Sequence, residues 1–140
     1  MISARVHYAS LAMVELAARR NDAAPVAAGE ISSLHGIPGP FLVQIFRTLR
    51  SRGWVQSVRG SQGGYRLVID PAKLTLWDIA EAVGCDESAC QTESNGTTAD
   101  ALLHGAWEEA WKASRSVLAK TTLAEIAGKA SRNDAVMFYI

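Results

Sequence analysis

At 140 residues, 49% of them hydrophobic, the chain can bury one compact core with a modest appendage but cannot hold two large domains. Its net charge of zero hides an asymmetry: residues 1–70 carry eight Arg against four Asp/Glu, and residues 71–140 carry six Lys/Arg against ten Asp/Glu. No apolar run approaches the roughly 20 residues that span a bilayer, and the opening Met-Ile-Ser-Ala-Arg-Val-His-Tyr lacks the layout of a secretory signal. A membrane protein is therefore not expected, and a cytoplasmic location with reduced thiols is.

Val6, Ala9, Met13, Leu16 and Ala17 recur at helical spacing, which predicts an amphipathic helix over 3–20, ended by Asn21-Asp22 and Pro25. A second helix fits 27–35, with Ile31 and Leu34 inward and Gly36 as a left-handed cap. Ile37-Pro38-Gly39-Pro40 reads as a tight turn. A third helix is expected over 41–52, with Phe41, Leu42, Ile45, Phe46 and Leu49 as its apolar stripe. Two short β-type runs follow, 54–58 and 65–69, and between them lies the tip Arg59-Gly60-Ser61-Gln62-Gly63-Gly64. Three helices and then a hairpin is the order of a winged helix-turn-helix.

Further on, Thr75-Leu-Trp-Asp78 and Thr122-Leu-Ala-Glu125 each place an acid three residues after a threonine, the pattern of a capping box at a helix start. Residues 85–100 are polar and form a loop containing Cys85 and Cys90. A long helix is expected over 101–119, striped by Leu103, Ala106, Trp107, Ala110, Trp111, Ser114 and Val117. A small head has little core left to cover two tryptophans on such a helix, so Leu103, Trp107, Trp111, Ser114 and Val117 are assigned to a homodimer interface. The fold expected is mainly α with a small β-hairpin, a winged helix-turn-helix with a long C-terminal dimerisation helix. Its parts are a DNA-binding domain (1–84), a sensor-type loop (85–100), and the dimerisation helix with a C-terminal helix (101–140).

The charge asymmetry acquires a meaning in this frame. No acid lies between Glu30 and Asp70, a window that holds Arg47, Arg50, Arg52, Arg59 and Arg66. Such a patch attracts a polyanion. The third helix would enter the major groove, with Gln44 suited to adenine N6 and N7, Arg47 to guanine or phosphate, and Arg50 to the backbone. Pro40 and Thr48 belong to the same reading surface. Arg59, at the root of a glycine-rich tip, suits a narrow minor groove, and Gly60, Ser61, Gln62 and Gly63 let the tip approach closely. The partner expected is double-stranded DNA carrying a palindromic operator. No catalytic constellation stands out, since His7, His35 and His104 are scattered and none pairs with a nucleophile by motif; an enzyme is not expected.

These residues resemble the Rrf2 family of bacterial transcription regulators, which includes an iron–sulfur cluster regulator and a nitric-oxide-sensing repressor. The likeness lies in Tyr8-Ala9, Phe41-Leu42-Val43-Gln44-Ile45-Phe46-Arg47-Thr48-Leu49-Arg50, Gly53-Trp54-Val55 and Ser57-Val58-Arg59-Gly60-Ser61-Gln62-Gly63-Gly64-Tyr65. It continues in Leu76-Trp77-Asp78-Ile79, Leu102–Trp107 and Thr122-Leu123-Ala124-Glu125-Ile126. The resemblance implies a dimer with a crossed long helix and a wing arginine in the minor groove. It also implies, in the cluster-binding members, three loop cysteines and a fourth ligand. Here Cys90 resembles the first of those cysteines, Cys85 is an extra one, Ala101 stands where the last is expected, and His104 matches a ligand histidine.

A [2Fe–2S] cluster needs four protein ligands, and Cys85, Cys90 and His104 supply three. The fourth would come from His7, Asp86, Glu87, Glu93 or a partner chain. The incomplete set makes a labile cluster, or none, the expectation over a robust one, and Cys85 and Cys90 could instead form a disulfide. Two other functions compete with a regulator. A thiol redox protein is disfavoured because a catalytic pair prefers C-x-x-C spacing. A winged module that binds another protein would hold its partner at high salt and ignore DNA.

Overall fold

The computed structural model describes residues 2–84 and 96–138, with the side chains of 133–138 left aside. Six α-helices and one hairpin run in the order α1 (Ala4–Ala18), α2 (Ala28–His35), α3 (Gly39–Ser51), β1 (Val55–Val58), β2 (Gly64–Leu67), α4 (Leu76–Val83), α5 (Thr98–Lys120) and α6 (Leu123–Phe138). A short 3-10 turn at Pro71–Lys73 precedes α4. The sequence expectation of a mainly helical winged fold agrees with this order.

The core forms where the helical periodicities converge. Val6, Ala9, Met13 and Leu16 of α1, Ile31 of α2, Leu42, Ile45, Phe46 and Leu49 of α3 and Ile79 of α4 are all buried. Phe46 stacks flat on Tyr65 of β2, with ring centroids 3.8 Å apart, which fixes the hairpin against α3. Two apolar residues depart from the expected stripes. Leu34 is 56% exposed and Phe41 47% exposed. The eight-residue α2 has room for one buried anchor, Ile31, and Phe41 sits in the first turn of α3, beyond the edge of the core, edge-on to Tyr8 at 6.1 Å.

Helix α3 begins two residues before the expected Phe41. Proline is tolerated in a first helical turn because its missing N–H would have no intrahelical partner there. Pro40 therefore sits inside the helix, and the turn is confined to Gly36–Pro38. Gly36 does take the left-handed conformation, at φ 64°, that ends α2. The hairpin pairs Val55 with Leu67 through Val58 with Gly64, antiparallel. On its other edge β2 meets Val26 in an isolated bridge, with Val26 N donating to Tyr65 O at 2.9 Å and Tyr65 N to Val26 O at 2.8 Å.

Both capping boxes are present. Thr75 Oγ1 accepts from Asp78 N at 3.1 Å while Asp78 Oδ2 accepts from Thr75 N at 2.9 Å. Thr122 and Glu125 do the same for α6, each bond being 3.2 Å. The two helix starts are themselves joined. Leu76 N donates to Thr121 O at 2.9 Å and Leu123 N to Leu74 O at 2.8 Å. This junction brings α6 back to the head, where Leu123 and Ala127 complete the core.

Candidate nucleic-acid interface

Helix α3 has two unlike faces. Leu42, Ile45, Phe46 and Leu49 are buried, whereas Pro40, Val43, Gln44, Arg47, Arg50 and Ser51 are exposed and Thr48 is half-buried. At its start, Pro38 provides no side-chain cap and the first turn holds no acid. An uncapped helix start turns its amides and the positive end of the helix dipole outward, a setting that favours an anion. The expected reading residues thus share one solvent face beside an electropositive end.

The wing tip is exposed at Arg59, Gly60, Ser61 and Gln62. Its glycines divide by role. A Cβ on Gly63 would overlap Val58 O and Gly60 O, and one on Gly64 would overlap the Val26 carbonyl. Those two are required by the close approach of the fold to itself. Gly60 differs: its φ is 112° and a Cβ there would meet open space, so backbone conformation is what asks for glycine. Of the arginines in the acid-free window, Arg52 lies over the Trp54 ring at 5.9 Å. Arg66 turns inward, donating from Nη2 to Ala23 O at 2.6 Å, and so holds the hairpin to the segment before α2.

A polar cluster that sequence reading missed secures the helix-turn-helix. Glu15 Oε1 lies 2.9 Å from His35 Nε2, Arg19 Nε donates to Glu15 Oε2 at 2.8 Å, and Arg19 Nη1 donates to Glu30 Oε1 at 2.6 Å. The Glu30 hydrogen bond pushes the Arg19 pKa above its ordinary value, against a smaller opposing effect of burial and with further support from Glu15. Glu30 and His35 stand at the two ends of α2, so this cluster ties a helix with a single buried residue to α1 at both ends. The i,i+4 spacing of Glu15 and Arg19 was visible in the sequence; their partners on α2 were not.

Helix α5 is built differently. It is 23 residues long and buries none of them. Its expected stripe splits into two sides. Trp111 packs edge-on to Trp77 of α4 at 5.9 Å, and Ser114 is half-buried. Arg115 lies over the same Trp77 ring at 4.9 Å. Leu102, Leu103, Trp107 and Val117 remain exposed, Trp107 to 51%.

Cys85 and Cys90 lie outside the described residues, as do Asp86, Glu87 and Glu93. Among the described residues no group of three or more His, Cys, Asp or Glu is placed to hold a metal. His104 Nε2 is 3.5 Å from Asp100 Oδ1, and His7 Nε2 belongs to a ring 6.4 Å from that of Tyr8. A [2Fe–2S] cluster needs four protein ligands; Cys85, Cys90 and His104 would supply three, and of these His104 alone falls among the described residues. Among the described residues no helix is long and apolar enough to cross a membrane.

A helix-turn-helix whose second helix starts uncapped and electropositive, followed by an arginine-rooted wing, defines a winged-helix DNA-binding regulator. Comparison with known proteins gives the family. The Rrf2 family model, described as "Iron-dependent Transcriptional regulator", matches residues 2–129. A putative HTH-type transcriptional regulator of Aquifex aeolicus is 42% identical over 84 residues, 60% of this chain and 57% of that protein. The HTH-type transcriptional regulator IscR of Escherichia coli is 32% identical over 89% of this chain and 78% of its own length. Among solved structures, CymR, the global cysteine regulator of B. subtilis, superposes with a TM-score of 0.75 at 29% identity, covering 92% of this chain and 97% of that one. The chain belongs to the Rrf2 family of transcriptional regulators.

Proposed function

We propose that this regulator acts as a homodimer that carries two winged heads to a palindromic operator. The observation that carries this reading is the exposed row of α3, Pro40, Gln44, Arg47 and Arg50, beside an uncapped helix start. Gln44 pairs with adenine through N6 and N7, Arg47 bridges to guanine or phosphate, and Thr48 and Arg50 hold the backbone. Pro40, which lacks an N–H and a long side chain, lets the helix end seat against the strand. Arg59 enters the minor groove, with Gly60, Ser61, Gln62 and Gly63 forming the tip that admits it. Dimerisation is supported by α5, whose Leu103, Trp107 and Val117 are exposed, while its Trp111 packs on Trp77 of α4 and its Ser114 is half-buried. A second copy supplies the cover that the head does not.

Such a complex gains most of its affinity by displacing counterions, so log Kd should rise with log salt at about 0.9 per phosphate contacted. Arg59→Ala should weaken operator binding about tenfold or more and flatten that slope, as read by fluorescence anisotropy across a salt series. Unchanged affinity would remove the wing from the interface. A complex that survives high salt and contains no DNA would favour the protein-binding alternative.

The signal is assigned to the 85–104 region, which holds Cys85, Cys90 and His104. The family description as iron-dependent and the likeness to a cysteine regulator support a thiol or metal input there. An absorbance spectrum of anaerobically purified protein, with DNA binding measured before and after oxidation, separates the readings. Visible bands that vanish together with a change in affinity indicate a cluster. A colourless protein that responds to oxidation indicates the cysteine pair, and one indifferent to both leaves the two cysteines without a sensing role.

A further inference from the structure

Between the end of α1 and the first turns of α6 lies a cleft of about 210 Å³, away from the exposed row of α3 and from the wing. Its floor is small and apolar: Ala17 of α1 and Ala127 of α6 are buried, with Ala124 and Gly128 half-buried beside them. Its rim is polar and exposed, made by Arg20 and Asn21 just past α1 and by Ser131 of α6. Small residues where two helices meet ordinarily let the backbones come close. Here they leave room instead. A Cβ on Gly128 would meet no backbone, only Arg132 Nη1 at 3.6 Å. Glycine weakens a helix interior, so neither α6 nor its contact with α1 asks for one at this position.

The charges at the rim have no use within the fold. Arg132, over Gly128, brings a second guanidinium to the side of Arg20 and Asn21. Among the described residues neither Arg20 nor Arg132 forms an ion pair, whereas Arg19, the residue before Arg20, is held by both Glu15 and Glu30. The nearby acids do not compensate them: Glu125 is taken up in the capping box of α6, and Asp22 does not line the cleft. A cleft bordered by one sign of charge over an apolar floor draws the opposite charge to it.

We infer that this cleft is a binding site for a small carboxylate, its charged end held by Arg20 and Arg132 and its short apolar body laid on the floor of Ala17, Ala127 and Gly128. Asn21 and Ser131 carry donors for the oxygen lone pairs that the guanidiniums leave open. A bare inorganic anion would gain nothing from the methyl-lined floor, and an uncharged apolar molecule would gain nothing from the rim. The volume is below the roughly 300–1,000 Å³ of drug-sized sites, which suits a body of about five to eight non-hydrogen atoms. The two walls belong to different parts of the head: α1 holds α2 through Arg19 and Glu30, and α6 supplies Leu123 and Ala127 to the core. An occupant that bridges them should therefore raise the melting temperature of the protein. The inference does not depend on the operator reading.

The test titrates the full-length protein with sodium propionate and follows its backbone amides by NMR, with propionamide and sodium chloride at matched ionic strength as controls. Saturable shifts are expected at Ala18, Asn21, Ala127 and Gly128, with a dissociation constant of about 1 mM, within reach of five non-hydrogen atoms. Propionamide keeps the shape and lacks the charge, so it should produce none. Lengthening the chain from acetate to propionate should tighten binding about twofold to fourfold, as one more methylene leaves water. Arg20→Gln and Arg132→Gln should each weaken propionate about fivefold or more, by losing one charge-assisted hydrogen bond. Gly128→Leu should abolish binding, because its side chain enters the space that the ligand would fill. Leucine is the better helix former and its Cβ meets no backbone, so that variant folds, which circular dichroism checks. Should it not fold, the two arginine variants decide, since both side chains are exposed. The inference is overturned if propionate gives no saturable shift, if propionamide matches it, or if the shifts fall on α3 and the wing instead. Native affinity in Gly128→Leu, or in both arginine variants, overturns it equally.

Discussion

The head and the long helix use apolar residues in opposite ways. In the head, α1, α3 and α4 turn their stripes onto one another, and the largest side chains, Phe46 and Met13 among them, are fully enclosed. In α5 the stripe is not enclosed: Trp111 and Leu118 pack partly covered against the head, Ser114 is half-buried, and Leu102, Leu103, Trp107 and Val117 are exposed. Periodicity alone reports that a face is to be buried. What buries it depends on whether complementary stripes remain in the same chain, and among the described residues none covers the outer side of α5.

Four substitutions would break or sharpen that contrast. Phe46→Ala removes a ring that is enclosed and stacked on Tyr65, and should cost about 3–5 kcal/mol of head stability in urea titration. Gly64→Ala forces a methyl into the Val26 carbonyl and should cost about 1–3 kcal/mol, with weakened amide protection at Val26 and Tyr65 seen by hydrogen exchange. Trp107→Ala should act on association instead: about 2 kcal/mol, roughly 30-fold in the dimer dissociation constant by sedimentation equilibrium. The dependence of its melting temperature on protein concentration should weaken with it. A loss of head stability matching that of Phe46→Ala at high dilution would show that α5 belongs to the same core, and the contrast would fall. Thr75→Ala removes one half of a capping box and should cost about 1 kcal/mol, read from the urea midpoint.

Local chemistry was legible and long-range chemistry was not. The left-handed Gly36, both capping boxes and the buried row of α3 follow from residues within four positions of one another, and each was readable in the sequence. The start of α3 was misplaced because proline punctuates a turn and a first helical turn equally well, and Pro38 and Pro40 offered both. Leu34 and Phe41 were assigned to the core because they are apolar at helical spacing; both lie at element ends, where the stripe runs past its cover. The inward turn of Arg66, the hold of Glu15 and Arg19 on α2, and the need of Gly64 to pass Val26 depend on partners 11 to 43 residues away for the bonded pairs. No pattern in one stretch of chain announces such partners. Of the DNA-facing candidates, exposure on one helix face could be read from the wheel of α3.

The junction between the starts of α4 and α6 also bears on the order in which the molecule can be made. Leu123 and Ala127 belong to the core of the head, yet they follow α5 in the chain. A nascent chain that has released only the three helices and the hairpin still lacks those two side chains and the backbone pairing that seats them. Contacts so distant in sequence are late to form, and chains are extended from the N-terminus. Synthesis of α5 therefore precedes completion of the head, so a finished reading head never exists without the helix that would join it to a second one.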